Sequence, residues 1–311
     1  MQTLLVFSVV LFAVSGLPVN SVFEPATVPA STVPLKIARK ALNTTDFIFG
    51  GNRAQSGQFP MQAFYNFTAS FDQEVHRCGG TIISATHVLT AAHCTVLMTL
   101  PSVLMVGGVN LNLDSPHWQW RNISGVVSHP DFDIYSDELY DDIAVIEISP
   151  PFKLNDFVKA ATIVSDDETL LQEPTAVVSG FGVYKIENTK GVSSNDLLFS
   201  EVDIFSPNYC NEAWNGTLAD GQICAGAAGR GIGRGDSGGP IQVFRNGKLV
   251  QIGVTSFGDA DSEGEHNQDK IPVVYTRVSK YCNFIETATK GVVKCGNLST
   301  TTSGSIPVAP Q

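Results

Sequence analysis

Charge is scarce in this chain, and basic charge scarcer still. Asp, Glu, Lys and Arg make up 16% of 311 residues, and 19 basic side chains face 30 acidic ones, a formal net charge of −11. Binding to nucleic acid needs clustered Lys and Arg against the phosphates, so that class of partner is excluded. No stretch reaches about 18 consecutive apolar residues, so no membrane anchor is expected. The six cysteines include no C-x-x-C and no paired histidines, which sets zinc aside. No internal repeat is found. The 28 glycines and 16 prolines are too few for a collagen-like or low-complexity chain. What remains is an acidic globular protein. At 43% hydrophobic residues it can bury a sizeable core, as two average domains or one large β or α/β unit.

The two ends differ from the middle. From Leu4 to Val14 runs an uncharged apolar stretch that leads into Ser15-Gly16. That length suits the core of a signal peptide with small residues at its cleavage site, although no Lys or Arg precedes it. Residues 1–16 are therefore expected to be removed and the mature chain secreted to the extracellular space. Residues 17–47 hold four prolines and Arg39-Lys40 without a sustained period, which reads as an extended pro-segment. Residues 296–311 are uncharged and rich in Ser and Thr, which reads as a flexible tail. Asn-X-Ser/Thr sequons at Asn43, Asn66, Asn122, Asn215 and Asn297 suit a glycoprotein. An even six cysteines in an oxidising compartment point to disulfides, with fifteen possible connectivities.

Between the ends lie short runs rich in Val, Ile, Phe and Thr, such as 61–67, 143–148, 176–179, 249–255 and 273–277. Gly, Pro, Asn and Asp punctuate them, the pattern of an all-β sandwich or barrel. Only residues 278–289 look helical, with Tyr281, Ile285 and Thr289 at four-residue steps. Three motifs carry chemistry. His93 sits in Leu-Thr-Ala-Ala-His-Cys, beside a cysteine that can pin it, as a general base requires. Asp142 opens an apolar strand, where a buried carboxylate can fix a histidine tautomer. Ser237 lies in Gly-Asp-Ser-Gly-Gly-Pro, whose glycines let backbone N–H groups approach a substrate carbonyl. Taken singly, each has a plain alternative as a turn or a solvated strand end.

In that order, with those flanks, the motifs resemble the chymotrypsin-like (trypsin-fold) secreted serine peptidases. Ser128-His129-Pro130, Ser179-Gly180-Phe181-Gly182, Ser256-Phe257-Gly258, Pro272-Val273-Val274-Tyr275 and Ile48-Phe49-Gly50-Gly51 extend the likeness over residues 48–288. The resemblance implies two packed six-stranded antiparallel β-barrels, a C-terminal helix and a short tail over 289–311. It implies His93, Asp142 and Ser237 as the triad and the Gly235 and Ser237 N–H groups as the oxyanion hole. It also implies pairings Cys78–Cys94 and Cys210–Cys224, leaving Cys282 and Cys295 for each other. No cofactor is implied. Val109 stands where an acidic calcium ligand would be expected, so no metal is either.

The likeness carries a pocket and an activation step as well. Gly231 would form the floor of the substrate pocket, Ile232, Ser256 and Phe257 its surroundings, Val273 a wall and Gly258 the neck. With no carboxylate at the floor, apolar side chains of medium size are expected to fit and Lys or Arg to be refused. Cleavage before Ile48 would free an amine to meet Asp236, and Phe47 requires an activating protease other than trypsin. Protein or peptide substrates, that activating protease and protein inhibitors are the expected partners. The family's usual cysteine two residues before Gly-Asp-Ser is Gly233 here, and residues 259–271 hold no partner for it. Two rivals stand against a secreted serine endopeptidase made as a zymogen. One is a catalytically silent homologue that binds or regulates. The other is a small-ester hydrolase, which usually shows G-x-S-x-G at a strand-to-helix turn.

Overall fold

Strands buried along most of their length build the core of the amino-terminal half, with β4 buried throughout. A computed structural model describes residues 50–297, apart from Asp137, Thr189, Thr217 and residues 260–266. After a two-residue strand β1 (Asn52–Arg53) come β2 (Gln62–Ala69), β3 (Val75–Ile82), β4 (His87–Thr90), β5 (Met98–Val106), β6 (Gln119–Ser128) and β7 (Ala144–Ser149). These last six close into an antiparallel barrel in the order β2-β3-β4-β7-β6-β5. Closure leaves no unpaired edge and directs Tyr65, Ile82, Val88, Leu104 and Ile146 into one core.

The second half repeats the device. The connection carries β8 (Thr162–Ile163), followed by β9 (Thr175–Gly180), the hairpin β10 (Val183–Glu187) and β11 (Lys190–Ser193), and β12 (Leu198–Ile204). Helix α1 (Pro207–Ala213) precedes β13 (Gln222–Gly226), β14 (Pro240–Arg245), β15 (Lys248–Phe257) and β16 (Val273–Arg277). Strands β9, β12, β13, β16, β15 and β14 pair in a ring, since β9 meets both β12 and β14. This second barrel buries Val178, Val202, Ile241, Ile252 and Tyr275. The expected pair of six-stranded antiparallel barrels is the observed fold.

A third apolar cluster joins the barrels. Phe64 and Met105 of the first pack with Val177, Phe181 and Leu249 of the second. At the end of β16, Arg277 binds Asp167 on the connection between the barrels, with Nη2–Oδ1 at 2.6 Å and both side chains nearly out of solvent. A buried charge is tolerated only with such a partner.

Both helices have local causes. In α1, Ser206 Oγ accepts the Tyr209 N–H and Pro207 opens the first turn, an N-terminus that hydrophobic periodicity does not reveal in seven residues. A 3₁₀ turn (Val278–Tyr281) leads into α2 (Cys282–Ala288), close to the predicted helix. Packing continues past residue 288. Val293 is buried in the first core, the Gly296 N–H donates to the Ile163 carbonyl, and that of Ser165 to Gly296. All three disulfides form as expected, Cys78–Cys94, Cys210–Cys224 and Cys282–Cys295. No helix among the described residues is long and apolar enough to cross a membrane. The segments expected to be removed, 1–16 and 17–47, lie outside the described residues.

Candidate active site

Strand β4 ends at Thr90 and runs through buried Ala91 and Ala92 to His93. Cys94 is bonded to Cys78 on β3, and the Thr95 hydroxyl donates to the Ala92 carbonyl at 2.9 Å. The imidazole is thereby held between a covalent clamp and a turn. Asp142 sits two residues before the start of β7 and is fully buried. Its Oδ1 accepts the His93 backbone N–H at 2.9 Å, and its Oδ2 lies 2.7 Å from His93 Nδ1. A carboxylate offers only acceptors, so Nδ1 carries the proton and Nε2 is left as the basic nitrogen.

Two groups of the second barrel complete this carboxylate's surroundings. Ser256 Oγ on β15 donates to Asp142 Oδ2 at 2.6 Å, and Thr276 Oγ1 on β16 donates to its backbone carbonyl at 2.7 Å. Burial pushes the Asp142 carboxyl upward, but the His93 charge and the hydrogen bonds from His93 and Ser256 outweigh it and hold the pKa below the usual carboxylate range. Burial pushes His93 downward, and the Asp142 charge and hydrogen bond reverse this, leaving it above an ordinary imidazole. Each partner favours the charged form of the other. Sequence reasoning put Ser256 in the substrate pocket. Nothing in the chain near residue 142 signals that a hydroxyl 114 residues later reaches that carboxylate.

Ser237 belongs to the loop that leads into β14. Its carbonyl accepts the Gly79 N–H from β3 at 2.8 Å, and the Gly238 N–H donates to Thr255 on β15. Gly238 has φ +77°, and a Cβ there would meet Thr90 Oγ1 at 2.1 Å and the Gly79 carbonyl at 2.6 Å. Glycine is required, and its absence of bulk seats the serine loop on the strand end that leads to His93. Ser237 Oγ and His93 Nε2 are not hydrogen-bonded to each other among the described residues. The Gly235 and Ser237 N–H groups likewise donate to no acceptor among them, whereas those of Asp236 and Gly239 are taken by the Gly233 and Asp236 carbonyls.

The remaining expected positions fall into three groups. Asp236 is buried, its two carboxylate oxygens accepting the N–H groups of Gly182 at 2.7 Å and Gly233 at 2.9 Å. Its expected partner Ile48 lies outside the described residues. Among pocket positions, Ile232 and Val273 share the second core, Phe257 packs edge-on against Trp214, and a Cβ on Gly258 would lie 3.1 Å from Val273 Cγ2. Asn66, Asn122, Asn215 and Asn297 are all exposed, and Asn43 lies outside the described residues.

Two antiparallel barrels with an imidazole–carboxylate pair and a glycine-flanked serine at their seam define a class of hydrolytic fold. A family model, Trypsin, matches residues 48–285, and this chain belongs to the Trypsin family. It is 30% identical over 243 residues to bovine (Bos taurus) chymotrypsin-like elastase family member 1, covering 78% of this chain and 89% of that relative. It is 31% identical over 264 residues to the serine protease snk of Drosophila melanogaster, covering 80% of this chain and 58% of that one. The serine protease Hayan of the same fly is 30% identical over 259 residues, covering 78% of this chain and 39% of that relative. The chain is a serine endopeptidase, a hydrolase.

Proposed function

We propose that this chain is a secreted serine endopeptidase, synthesised as an inactive precursor, in which Ser237, His93 and Asp142 act as the triad. The observation that carries this reading is the fully buried Asp142 bound to both the backbone and the ring of His93. Ser237 Oγ attacks the scissile carbonyl carbon while His93 Nε2 takes its proton. Asp142 holds the tautomer and stabilises the imidazolium without itself being protonated. The carbonyl electrons move onto oxygen, where the Gly235 and Ser237 N–H groups receive the charge. His93 then returns the proton to the leaving amine, and water hydrolyses the acyl-enzyme by the same route.

Activation in this reading is cleavage before Ile48 by a separate protease. The new ammonium would pair with Asp236, whose carboxylate already anchors Gly182 and Gly233 around the serine loop. A neutral floor at Gly231 and the bulk of Val273 support a preference for apolar P1 residues of medium size. Disulfides and exposed sequons support secretion as a glycoprotein.

Fluorophosphonate labelling tests the proposal. Chain cut before Ile48 is expected to take one label on Ser237, and uncut chain or Ser237→Ala none. A cut, folded chain that takes no label would mark a catalytically silent binding protein instead.

A further inference from the structure

Gln268 is a buried polar residue that the mechanism above does not use. Its side chain is only 3% exposed, and its Nε2 donates to the Ile232 carbonyl at 2.6 Å. It is wedged between two glycines. A Cβ on Gly226, at the end of β13, would fall 2.0 Å from the Gln268 carbonyl oxygen. A Cβ on Gly231 would fall 1.8 Å from Gln268 Oε1 and 2.6 Å from Cδ. The carboxamide therefore occupies the very volume into which any side chain at residue 231 would project. Gly231 has φ +144°, a conformation that other residues rarely adopt.

We propose that Gln268 is a specificity-determining residue, closing the substrate pocket from below and making its floor a neutral amide. The inference rests on the peptidase reading and on Gly231 as the pocket floor. The loop before Ser237 supplies only a glycine at that point, so the group a long substrate side chain meets comes from the opposite segment, just before β16. Two consequences follow for substrates. A long or broad side chain meets the amide before it is fully seated, so pocket depth is limited by residue 268. A Lys or Arg would bring its charge to a dipole held by the Ile232 carbonyl, and neither Gly231 nor Gln268 supplies a carboxylate to compensate its desolvation. Length and charge are thus screened by one residue.

The test is peptide-amide hydrolysis by activated enzyme, with active sites counted by fluorophosphonate. The ratio of kcat/KM for Phe-ended over Leu-ended peptides is compared in wild type, Gln268→Ala and Gln268→Met. Shortening to alanine is expected to raise that ratio about tenfold or more, as a few added or removed methylenes do in apolar pockets. Methionine keeps the length without the amide and should leave the ratio near wild type. Should the alanine variant fail to fold, Gln268→Asn, shorter by one methylene, must shift the ratio in the same direction. A second readout needs no activity. Gly231→Ala should lower the thermal midpoint, and adding Gln268→Ala should restore part of it. A labelled enzyme whose ratio is unchanged in the shortened variants overturns this inference alone. A folded, cut wild-type chain that takes no label overturns the peptidase reading and this one with it.

Discussion

At Asp142 one buried carboxylate serves three donors, the His93 N–H, the His93 ring and the Ser256 hydroxyl. Its consequences are therefore electrostatic before they are steric. Catalysis in the proposed mechanism needs His93 neutral, and its pKa is held above that of an ordinary imidazole. Activity should fall as pH drops through that raised value, placing the acid limb of kcat/KM above the usual histidine range. Asp142→Asn removes the charge that raises it, so the limb should move to lower pH while kcat falls on the order of 10⁴-fold. A pH–rate profile of both enzymes checks the two shifts together. The signs for stability are opposite for the two partners. The contribution of His93, with its raised pKa, is full below the unfolded imidazole value and lost as pH rises through the folded one. That of Asp142, with its lowered pKa, is present above the unfolded carboxylate value and lost as pH falls through the folded one.

Helix α2 and the residues after it are held by a disulfide, by the core side chains of Ile285 and Val293, and by backbone bonds between Gly296 and Ile163 and Ser165. Cys282–Cys295 closes a short loop, with a sequence separation of 13, and Val293 inside it is buried in the first barrel's core. A bridge of this kind contributes about 2–4 kcal/mol by limiting the unfolded chain. Replacing both cysteines by serine should therefore lower the thermal midpoint by roughly 5–15 °C in a domain of this size. The kcat/KM at 25 °C should change little, because His93, Asp142 and Ser237 are positioned by other elements. Calorimetry beside a peptide-amide assay separates the two. The helix was legible in the sequence through Tyr281 and Ile285 at four-residue spacing. Helix α1 was not, because in seven residues a cap and a proline supply most of the signal.

The two barrels meet where backbone comes closest to backbone. The Gly79 N–H reaches Ser237 O at 2.8 Å, and Gly238 lies against Thr90 and Ala91 with no room for a Cβ. Gly238→Ala would have to push the serine loop off β4, in addition to straining a positive φ. A shift of about 1 Å at a reacting atom costs on the order of 10²-fold in rate. Gly238→Ala is accordingly expected to lose at least that in kcat/KM while circular dichroism retains the β signature. An equal rate in a folded variant would show that the seam is more compliant than its contacts indicate.

An all-β fold was legible in the sequence itself, and the resemblance its motifs carry implied the two barrels and three disulfide pairings that are observed, together with the reacting residues proposed above. Short Val-, Ile- and Phe-rich runs between turn residues can be buried only by pairing as strands, and an imidazole, a carboxylate and a glycine-flanked serine have few chemical uses together. What surrounds those residues was decided by tertiary structure. Ser256 and Thr276 reach Asp142 only because β15 and β16 cross the seam. Gln268 fills the space above Gly231 only because its segment folds back over the serine loop. A hydroxyl or an amide acquires its role from the distance and direction of its partner, and neither is encoded in the residues beside it.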